Sequence, residues 1–155
     1  MKKLLFTAWV LVLHLQSGCG AAKVPAETAP VPIDVSVTGE AKLNPDDKEQ
    51  SLPTVIRLYQ LRSAGKVESA AFDQMYRQPK EVLGEDLLQM EELVLAPGTT
   101  VRRRLDRDKA AKVLLAMAVV RSPSGMTWRA IADLPPPGDR VDLAFVVEGY
   151  RIRRR

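Results

Sequence analysis

The side chains that most often carry out catalysis are scarce in this sequence. Its 155 residues include one histidine, His14, and one cysteine, Cys19, both among the first twenty residues. His14 lies in an apolar N-terminal segment that we expect to be removed, so the remaining chain would have no imidazole for general base catalysis, a triad or metal binding. The sequence therefore predicts a protein that is not an enzyme and that holds no metal and no cofactor.

Carboxylates are the remaining candidates for catalysis. They occur as neighbours at Asp46-Asp47, Glu85-Asp86 and Glu91-Glu92, and glycosidases work with two such acids. Adjacent residues on a strand point to opposite faces, however, and no spacing of acids matches the helix-flanked calcium-binding loop. A carboxylate-dependent hydrolase stays open as an alternative, and it requires two acids converging at roughly 5 to 9 Å.

The N-terminus has the pattern of an export signal. Lys2 and Lys3 precede an apolar stretch over residues 4–15, which matches a charged n-region followed by an h-region. A membrane-spanning helix needs about 20 apolar residues, and this run is shorter and interrupted by polar side chains. We therefore interpret residues 1–18 as a signal peptide.

The string Ser17-Gly18-Cys19-Gly20 resembles the lipobox of bacterial lipoproteins, in which the cysteine takes a diacylglycerol thioether and becomes the first residue. The lipobox normally has leucine three positions before the cysteine, whereas this chain has Gln16. An ordinary secretory signal followed by a free thiol is the alternative. By resemblance to lipoprotein sorting rules, Gly20 in place of aspartate predicts an outer-membrane protein that faces the periplasm.

Two further segments follow the signal. Residues 19–32 are rich in Ala and Pro, which predicts an extended tether of at most roughly 40 Å. Residues 33–155 have the length of one domain, and 46% hydrophobic with 27% charged residues is enough to bury a core. Without Lys2 and Lys3 the net charge of +4 falls to +2, which is too low to suggest a nucleic-acid partner.

The first elements of the domain can be read from side-chain alternation. Ile33, Val35 and Val37 alternate with polar residues, as in a strand with one buried face. Residues 54–61 are rich in Val, Ile, Leu and Tyr and predict a second strand. Between the two strands, residues 44–53 collect turn formers and charges, so we expect an exposed loop.

A helix is predicted next. Ala71, Phe72, Met75 and Tyr76 fall at helical spacing, Ser69 can cap the N-terminus and Pro79 should end the helix. We interpret these apolar side chains as packing towards the core.

The C-terminal half predicts more strands. Residues 87–95, 99–105, 126–134 and 141–147 read as strands separated by Pro/Gly turns. Residues 112–120 are continuously apolar, so periodicity alone leaves strand and helix open, and the flanking residues favour a strand. Several short strands joined by such turns are typical of an antiparallel β-sandwich.

Arginines are concentrated in two places, Arg102-Arg103-Arg104 and residues 151–155. A run of like charge usually marks a solvated face or a frayed tail. Contact with anionic lipid or with an acidic partner is the alternative.

Several short strings, taken in order, resemble a known family. They are Leu43-Asn44-Pro45, Val55-Ile56-Arg57-Leu58-Tyr59-Gln60-Leu61, Phe72 with Tyr76, Leu83-Gly84-Glu85-Asp86-Leu87-Leu88, Leu95-Ala96-Pro97-Gly98, Val119-Val120-Arg121 and Trp128-Arg129. Each string alone is weak, but their order resembles the outer-membrane lipoproteins of type VI secretion systems, the TssJ family (VasD/SciN-like).

This resemblance implies an all-β fold, a transthyretin-like antiparallel β-sandwich with a short helical insertion after the second strand. It also implies a lipid-anchored protein that binds the periplasmic domain of the inner-membrane protein TssM. In this family the loop between the first two strands contacts that partner. The corresponding residues are Asn44, Pro45, Asp46, Asp47, Lys48, Glu49, Gln50, Ser51, Leu52 and Pro53.

The main alternative is a periplasmic β-sandwich lipoprotein that binds a small molecule or a cell-wall polymer through its arginine clusters. This alternative predicts a concave pocket near Arg102, Arg103 and Arg104.

Overall fold

A computed structural model describes residues 31–155 of the chain. Eight strands form two four-stranded sheets. The strands are β1 (Ile33–Leu43), β2 (Thr54–Leu61), β3 (Leu87–Leu95), β4 (Thr100–Leu105), β5 (Val113–Val119), β6 (Arg129–Asp133), β7 (Val141–Gly149) and β8 (Arg151–Arg154). The predicted signal peptide, Cys19 and nearly all of the predicted tether lie outside the described residues.

The strand order is β4-β1-β7-β8 in the first sheet and β3-β2-β5-β6 in the second. Together with the short helices after β2, this confirms the all-β, transthyretin-like sandwich. One pair departs from an antiparallel arrangement, because β1 and β7 run parallel, with Ile33 opposite Val141. No helix within residues 31–155 is long and apolar enough to cross a membrane.

The core lies between the sheets and extends beneath the helices. Ile33, Val35 and Val37 are buried as their alternation predicts, so one face of β1 points inward. In β5, by contrast, only Val119 is not fully buried. Both faces of β5 are covered because the helical segment packs on the outer side of the second sheet, which explains its continuous apolar run.

The helical segment differs from the single helix that was expected. It consists of α1 (Gly65–Ser69), α2 (Phe72–Arg77) and α3 (Pro79–Leu83), followed by a 3-10 turn at residues 84–86. The prediction that Ser69 caps the helix is wrong, because Ser69 ends α1 and Ala71 precedes α2. Pro79 does follow the end of α2, but it also begins α3, where its missing N–H costs nothing.

The predicted apolar face of this helix is only partly buried. Met75 is fully buried, whereas Tyr76 is 44% exposed and Ala71 is also exposed. The Phe72 ring stacks on Tyr76 at 6.0 Å and meets the edge of the buried Trp128 at 5.5 Å. Ala71 and Tyr76 thus contradict the expectation that all four residues face the core, because a helix of six residues presents only one narrow face inward.

Two C-terminal expectations also need correction. Strand β6 begins at Arg129 rather than at Met126, because Thr127 donates from its backbone N–H to Ser124 and closes a turn. The last arginines do not form a frayed tail. Arg151, Arg153 and Arg154 lie in β8, which pairs with β7 and buries Ile152, and the Arg155 N–H donates to the Ala144 carbonyl. Their exposed side chains therefore belong to an ordered, solvated edge of the sheet.

Candidate functional site

The loop over residues 44–53 leaves β1 in the first sheet and enters β2 in the second. Its first residue, Asn44, is buried and has a φ of +44°, a conformation that asparagine tolerates. The Asn44 N–H donates to the Gly149 carbonyl, and the side-chain oxygen accepts the Arg121 N–H, both at 2.8 Å. Asn44 therefore ties the loop to the two neighbouring connections.

Pro45 continues this attachment. Pro45 is buried, and its carbonyl accepts hydrogen bonds from the Tyr150 hydroxyl at 2.8 Å and the Arg121 guanidinium at 3.3 Å. Arg121 also forms an ion pair of 3.3 Å with Asp47, whose side chain is 96% exposed. Arg121 thus holds the Pro45 carbonyl in place and positions the Asp47 carboxylate.

Asp46 shapes the tip of the loop from inside. One of its carboxylate oxygens accepts the backbone N–H groups of Lys48 and Gln50, each at 2.8 Å. The Asp46 N–H donates to the Gln50 carbonyl at 2.9 Å, and Glu49 takes a φ of +61° in the turn between them. Asp46 therefore organises the backbone of the loop tip through one of its two carboxylate oxygens.

The remaining loop residues separate into supports and exposed groups. Glu49 forms an ion pair of 2.7 Å with Lys42, which raises the pKa of the Lys42 amine, and the Ser51 hydroxyl donates to the Ala41 carbonyl at 2.7 Å. The residues that a partner could reach are Asp47, Lys48, Glu49, Gln50 and Pro53, with Ser51 and Leu52 half-buried.

An apolar row adjoins the loop on the outer face of the second sheet. Val94 and Val119 flank Val55 across the paired strands β3, β2 and β5. Val94 is 66% exposed, and the other two are half-buried. This row begins one residue after the loop ends, so a partner held at the loop could also cover it.

A groove of about 580 Å³ lies on the other side of the loop. Besides the loop residues Pro45 and Glu49, the groove is lined by Lys42, Ser122, Ser124, Thr127, Glu148, Gly149, Tyr150 and Arg151. Residues 122–125 form one of the Pro/Gly turns of the sequence, and nothing in their composition indicates that they adjoin the loop. Strand order brings these connections together, and no local pattern in the sequence encodes that order.

The arginine cluster on β4 borders a separate open groove of about 610 Å³ on the outer face of the first sheet. The Arg104 guanidinium binds both Asp34 carboxylate oxygens, at 2.8 and 3.1 Å, and thereby holds the pKa of that carboxyl below its usual value. This groove is the concave feature that the alternative based on Arg102, Arg103 and Arg104 predicted.

Each of the three acidic pairs contributes at least one carboxylate to a salt bridge. Glu91 and Glu92 point to opposite faces of β3 and pair with Arg103 at 3.1 Å and Arg57 at 2.6 Å. Asp86 pairs with Lys66, whose hydrogen bond lowers the pKa of the carboxyl. In the described part of the chain, no group of three or more His, Cys, Asp or Glu residues could hold a metal ion.

The described residues thus form a small β-sandwich that carries a hydrogen-bonded polar loop beside an apolar row. The chain belongs to the family of type VI secretion lipoproteins described as VasD, EvfM, TssJ and VC_A0113, whose model matches residues 31–149. The family expected from the short strings is thus confirmed, and the chain is a component of the type VI membrane complex. No curated protein sequence matches this chain.

Solved structures share the fold. The crystal structure of the T6SS lipoprotein TssJ1 from Pseudomonas aeruginosa is 26% identical, with a TM-score of 0.73 over 81% of this chain and 97% of that one. Serratia marcescens Lip, described as a membrane-bound component of the type VI secretion system, is 23% identical, with a TM-score of 0.72 and coverages of 81% and 98%. A chain in a structure described as the T6SS protein TssM C-terminal domain from EAEC is 20% identical, with a TM-score of 0.71 and coverages of 80% and 97%.

Proposed function

We propose that this lipoprotein anchors the envelope-spanning complex of a type VI secretion system to the outer membrane. In this proposal residues 1–18 are removed, Cys19 is acylated, residues 19–32 form the tether, and the domain over residues 33–155 faces the periplasm. The loop over residues 44–53 then binds the periplasmic domain of TssM. Family membership supports this role, and so does the occurrence of the same fold in a structure described by the TssM C-terminal domain.

The observation that carries the proposal is the rigidity of the loop. Asn44, Pro45 and Asp46 hold its backbone through hydrogen bonds, while the tip stays exposed. A loop that is already ordered loses little conformational entropy on binding, so more of the contact energy is retained as affinity. The charges at the tip would act mainly on association rate and on the choice of partner.

Apolar surface beside the loop would supply the buried part of the interface. Leu52 is half-buried and Pro53 is exposed, and Val94 extends this surface onto the sheet at 66% exposure. Anchor residues at the centre of an interface contribute most of the binding energy. We therefore expect the interface to centre on Leu52, Pro53 and Val94, with the charged tip at its rim.

The tether and the loop leave β1 at opposite ends. The eleven residues of β1 (Ile33–Leu43) span about 35 Å at the usual rise per residue. Attachment of lipid at one end therefore leaves the loop at the other end free for a partner.

The first test replaces the loop tip and measures binding of the TssM periplasmic domain. The variant Asp47→Ala, Lys48→Ala, Gln50→Ala removes exposed side chains without touching Asp46, whose loss would disorder the loop. We expect the association rate constant, measured by surface plasmon resonance, to fall about threefold to tenfold, because exposed charges at the rim of an interface act mainly on the association rate. The thermal unfolding temperature should stay the same, because none of the three side chains is buried.

A matched control exists on the helical segment. Gln78, Lys80 and Glu81 are exposed and offer the same side-chain chemistry as the loop tip. Replacing these three residues by alanine should leave TssM binding unchanged. Association rates that are equal in the loop variant and in the wild-type chain would show that the loop tip takes no part in binding.

A second candidate function is binding of a small molecule or a cell-wall polymer, and the arginine-lined groove of about 610 Å³ supports it. This function requires saturable binding of soluble anionic cell-wall fragments, reduced by Arg102→Ala. Capture of TssM together with no detectable binding of such fragments would eliminate it.

A further inference from the structure

The two sheets differ in what covers their outer faces. On the second sheet, Arg57 and Arg129 donate to backbone carbonyls of the helical segment, so the helices lie on that face. No element within residues 31–155 covers the outer face of the first sheet. The side chains on this face are Arg102 and Arg104 on β4, Asp34, Ser36 and Thr38 on β1, Asp142, Ala144, Val146 and Glu148 on β7, and Arg151 and Arg153 on β8, and Val146 is buried among its neighbours.

Part of the positive charge on this face is uncompensated. Arg104 and Arg140 each form an ion pair of 2.8 Å, with Asp34 and Asp142. Arg102, Arg151 and Arg153 are exposed and form no ion pair within residues 31–155, although Glu148 lies opposite Arg151 across β7 and β8. A guanidinium group presents a planar fork of donors that matches phosphate oxygens.

The opposite side of the domain carries no such excess of positive charge. The helical segment over residues 65–86 has three basic and five acidic residues, and Arg57, Arg62 and Arg129, which donate to its carbonyls, bring this side close to neutral. The excess positive charge of the two layers therefore lies on the first sheet. A charged surface would orient such a domain.

The basic face also begins where the tether enters. The tether joins β1 at Ile33, which lies opposite Leu105 on β4 and Val141 on β7. Arg104 and Arg140 each immediately precede one of these two residues in the chain, so both arginines lie near the entry of the tether. The predicted tether between Cys19 and Ile33 reaches at most about 40 Å. A lipid surface that holds Cys19 is thus within reach of this face.

We propose that the outer face of the first sheet docks on the anionic phospholipid surface of the membrane that holds the acylated chain. This inference rests on the proposed anchoring through Cys19 and adds a second, electrostatic contact to it. Arg102, Arg151 and Arg153 bind lipid phosphates, and the helical layer points into the periplasm. Docking holds the domain in one orientation, with the loop over residues 44–53 at the edge of the contact, beside Arg151.

The test measures where the full, acylated chain is shielded by the bilayer. With Cys19 acylated, a cysteine introduced by Ser36→Cys is the only free thiol, and it carries a spin label at the centre of the basic face. Glu81→Cys places the same label on α3. The chain is reconstituted in phosphatidylcholine vesicles with or without phosphatidylglycerol, and the accessibility of each label to a water-soluble collider is measured.

We expect phosphatidylglycerol to shield the label at position 36 and to leave the label at position 81 accessible. The variant Arg102→Ala, Arg151→Ala, Arg153→Ala should weaken the docked state about fivefold for each arginine removed. The control Arg77→Ala, Lys80→Ala, Lys112→Ala changes the net charge equally but lies away from the face, so it should keep the shielding. High salt should abolish the shielding.

Accessibility at position 36 that is equal in both bilayers would overturn the docking proposal, as would full shielding in the arginine variant. Flotation of the wild-type chain with pure phosphatidylcholine vesicles reports separately on the lipid anchor, because those vesicles have no net charge. Loss of flotation would contradict the anchor, whereas loss of lipid-dependent shielding would contradict only the docking face.

Discussion

At the scale of single residues, two arginines act as structural donors. Arg107 is 4% exposed and donates to the carbonyls of Ala111 at 3.2 Å and Pro135 at 2.5 Å. Arg129 donates to carbonyls at the end of α1, and burial lowers the pKa of its guanidinium. These side chains connect loops to strands, so their burial marks packing and not a catalytic site.

Removal of Arg107 should therefore cost stability. Arg107→Ala leaves buried carbonyls without donors, and we expect the free energy of unfolding to fall by about 2–3 kcal/mol. Urea denaturation measures this loss. Arg102→Ala, an exposed arginine without a partner, should stay within about 0.5 kcal/mol of wild type, and an equal effect of both substitutions would contradict the structural role of Arg107.

Asp46 should control the order of the loop more than the stability of the domain. Asp46→Ala removes the acceptor for the Lys48 and Gln50 N–H groups. Hydrogen exchange of these two amides should accelerate, while exchange in β1 and β2 should be unchanged because the strand pairing does not involve Asp46. Unaltered exchange at positions 48 and 50 would mean that the carboxylate does not hold the turn.

At the scale of elements, β1 and the β3–β4 turn approach closely at Gly39. A Cβ at this position would lie 2.9 Å from the Ala96 carbonyl oxygen and 3.0 Å from a Leu43 side-chain carbon. The register of β1 against β7 also shifts between Gly39 and Leu43. Glycine is thus required where β1 bends towards the loop.

Gly39→Ala should push the two elements apart and lower the free energy of unfolding by about 1–3 kcal/mol. Gly65→Ala is the matched control, because a Cβ there would meet nothing within 4 Å. That control should be neutral or slightly stabilising. Chemical denaturation measures the free energy of unfolding of both variants. An unchanged value for Gly39→Ala would show that β1 and the β3–β4 turn can separate without loss of stability.

At the scale of the whole molecule, residues 31–155 contain no histidine, so no side chain with an ordinary pKa near neutrality should make stability depend on pH there. Ion pairs lower the pKa values of Asp34 and Asp86 from 3.8 and raise that of Lys42 from 10.5. The acids stabilise the fold above their unfolded pKa and lose this contribution as the pH falls through the folded value. The Lys42 ion pair stabilises the fold below pH 10.5, the unfolded pKa of the amine, and this contribution is lost as the pH rises through the higher folded pKa.

We therefore expect the unfolding temperature to be level between about pH 5 and 9 and to fall at both extremes. The double variant Asp34→Asn, Asp86→Asn should fall less steeply on the acid side, because its folded state no longer depends on two ionised carboxylates. Calorimetric scans across pH measure both slopes. A steep change of the unfolding temperature near pH 6.5 would contradict this expectation.

Local patterns in the sequence were enough to predict much of this protein. The alternation from Ile33 located β1, residues 54–61 form β2 as predicted, and the polar residues 44–53 form the connecting loop. These features depend on side-chain periodicity and on turn chemistry within a few residues. The acylation of Cys19 and the binding role of the loop stay predictions.

Only the tertiary structure decided which of these parts lie together. The parallel pairing of β1 with β7, the pairing that orders β8 and the contact of Arg121 with the loop all join residues far apart in the chain. The break between α1 and α2 coincides with carbonyls that Arg129 binds from β6. Periodicity shows which face of an element is buried, but contacts over such separations depend on strand order, and so the loop's neighbours and the open basic face could not be predicted from the sequence.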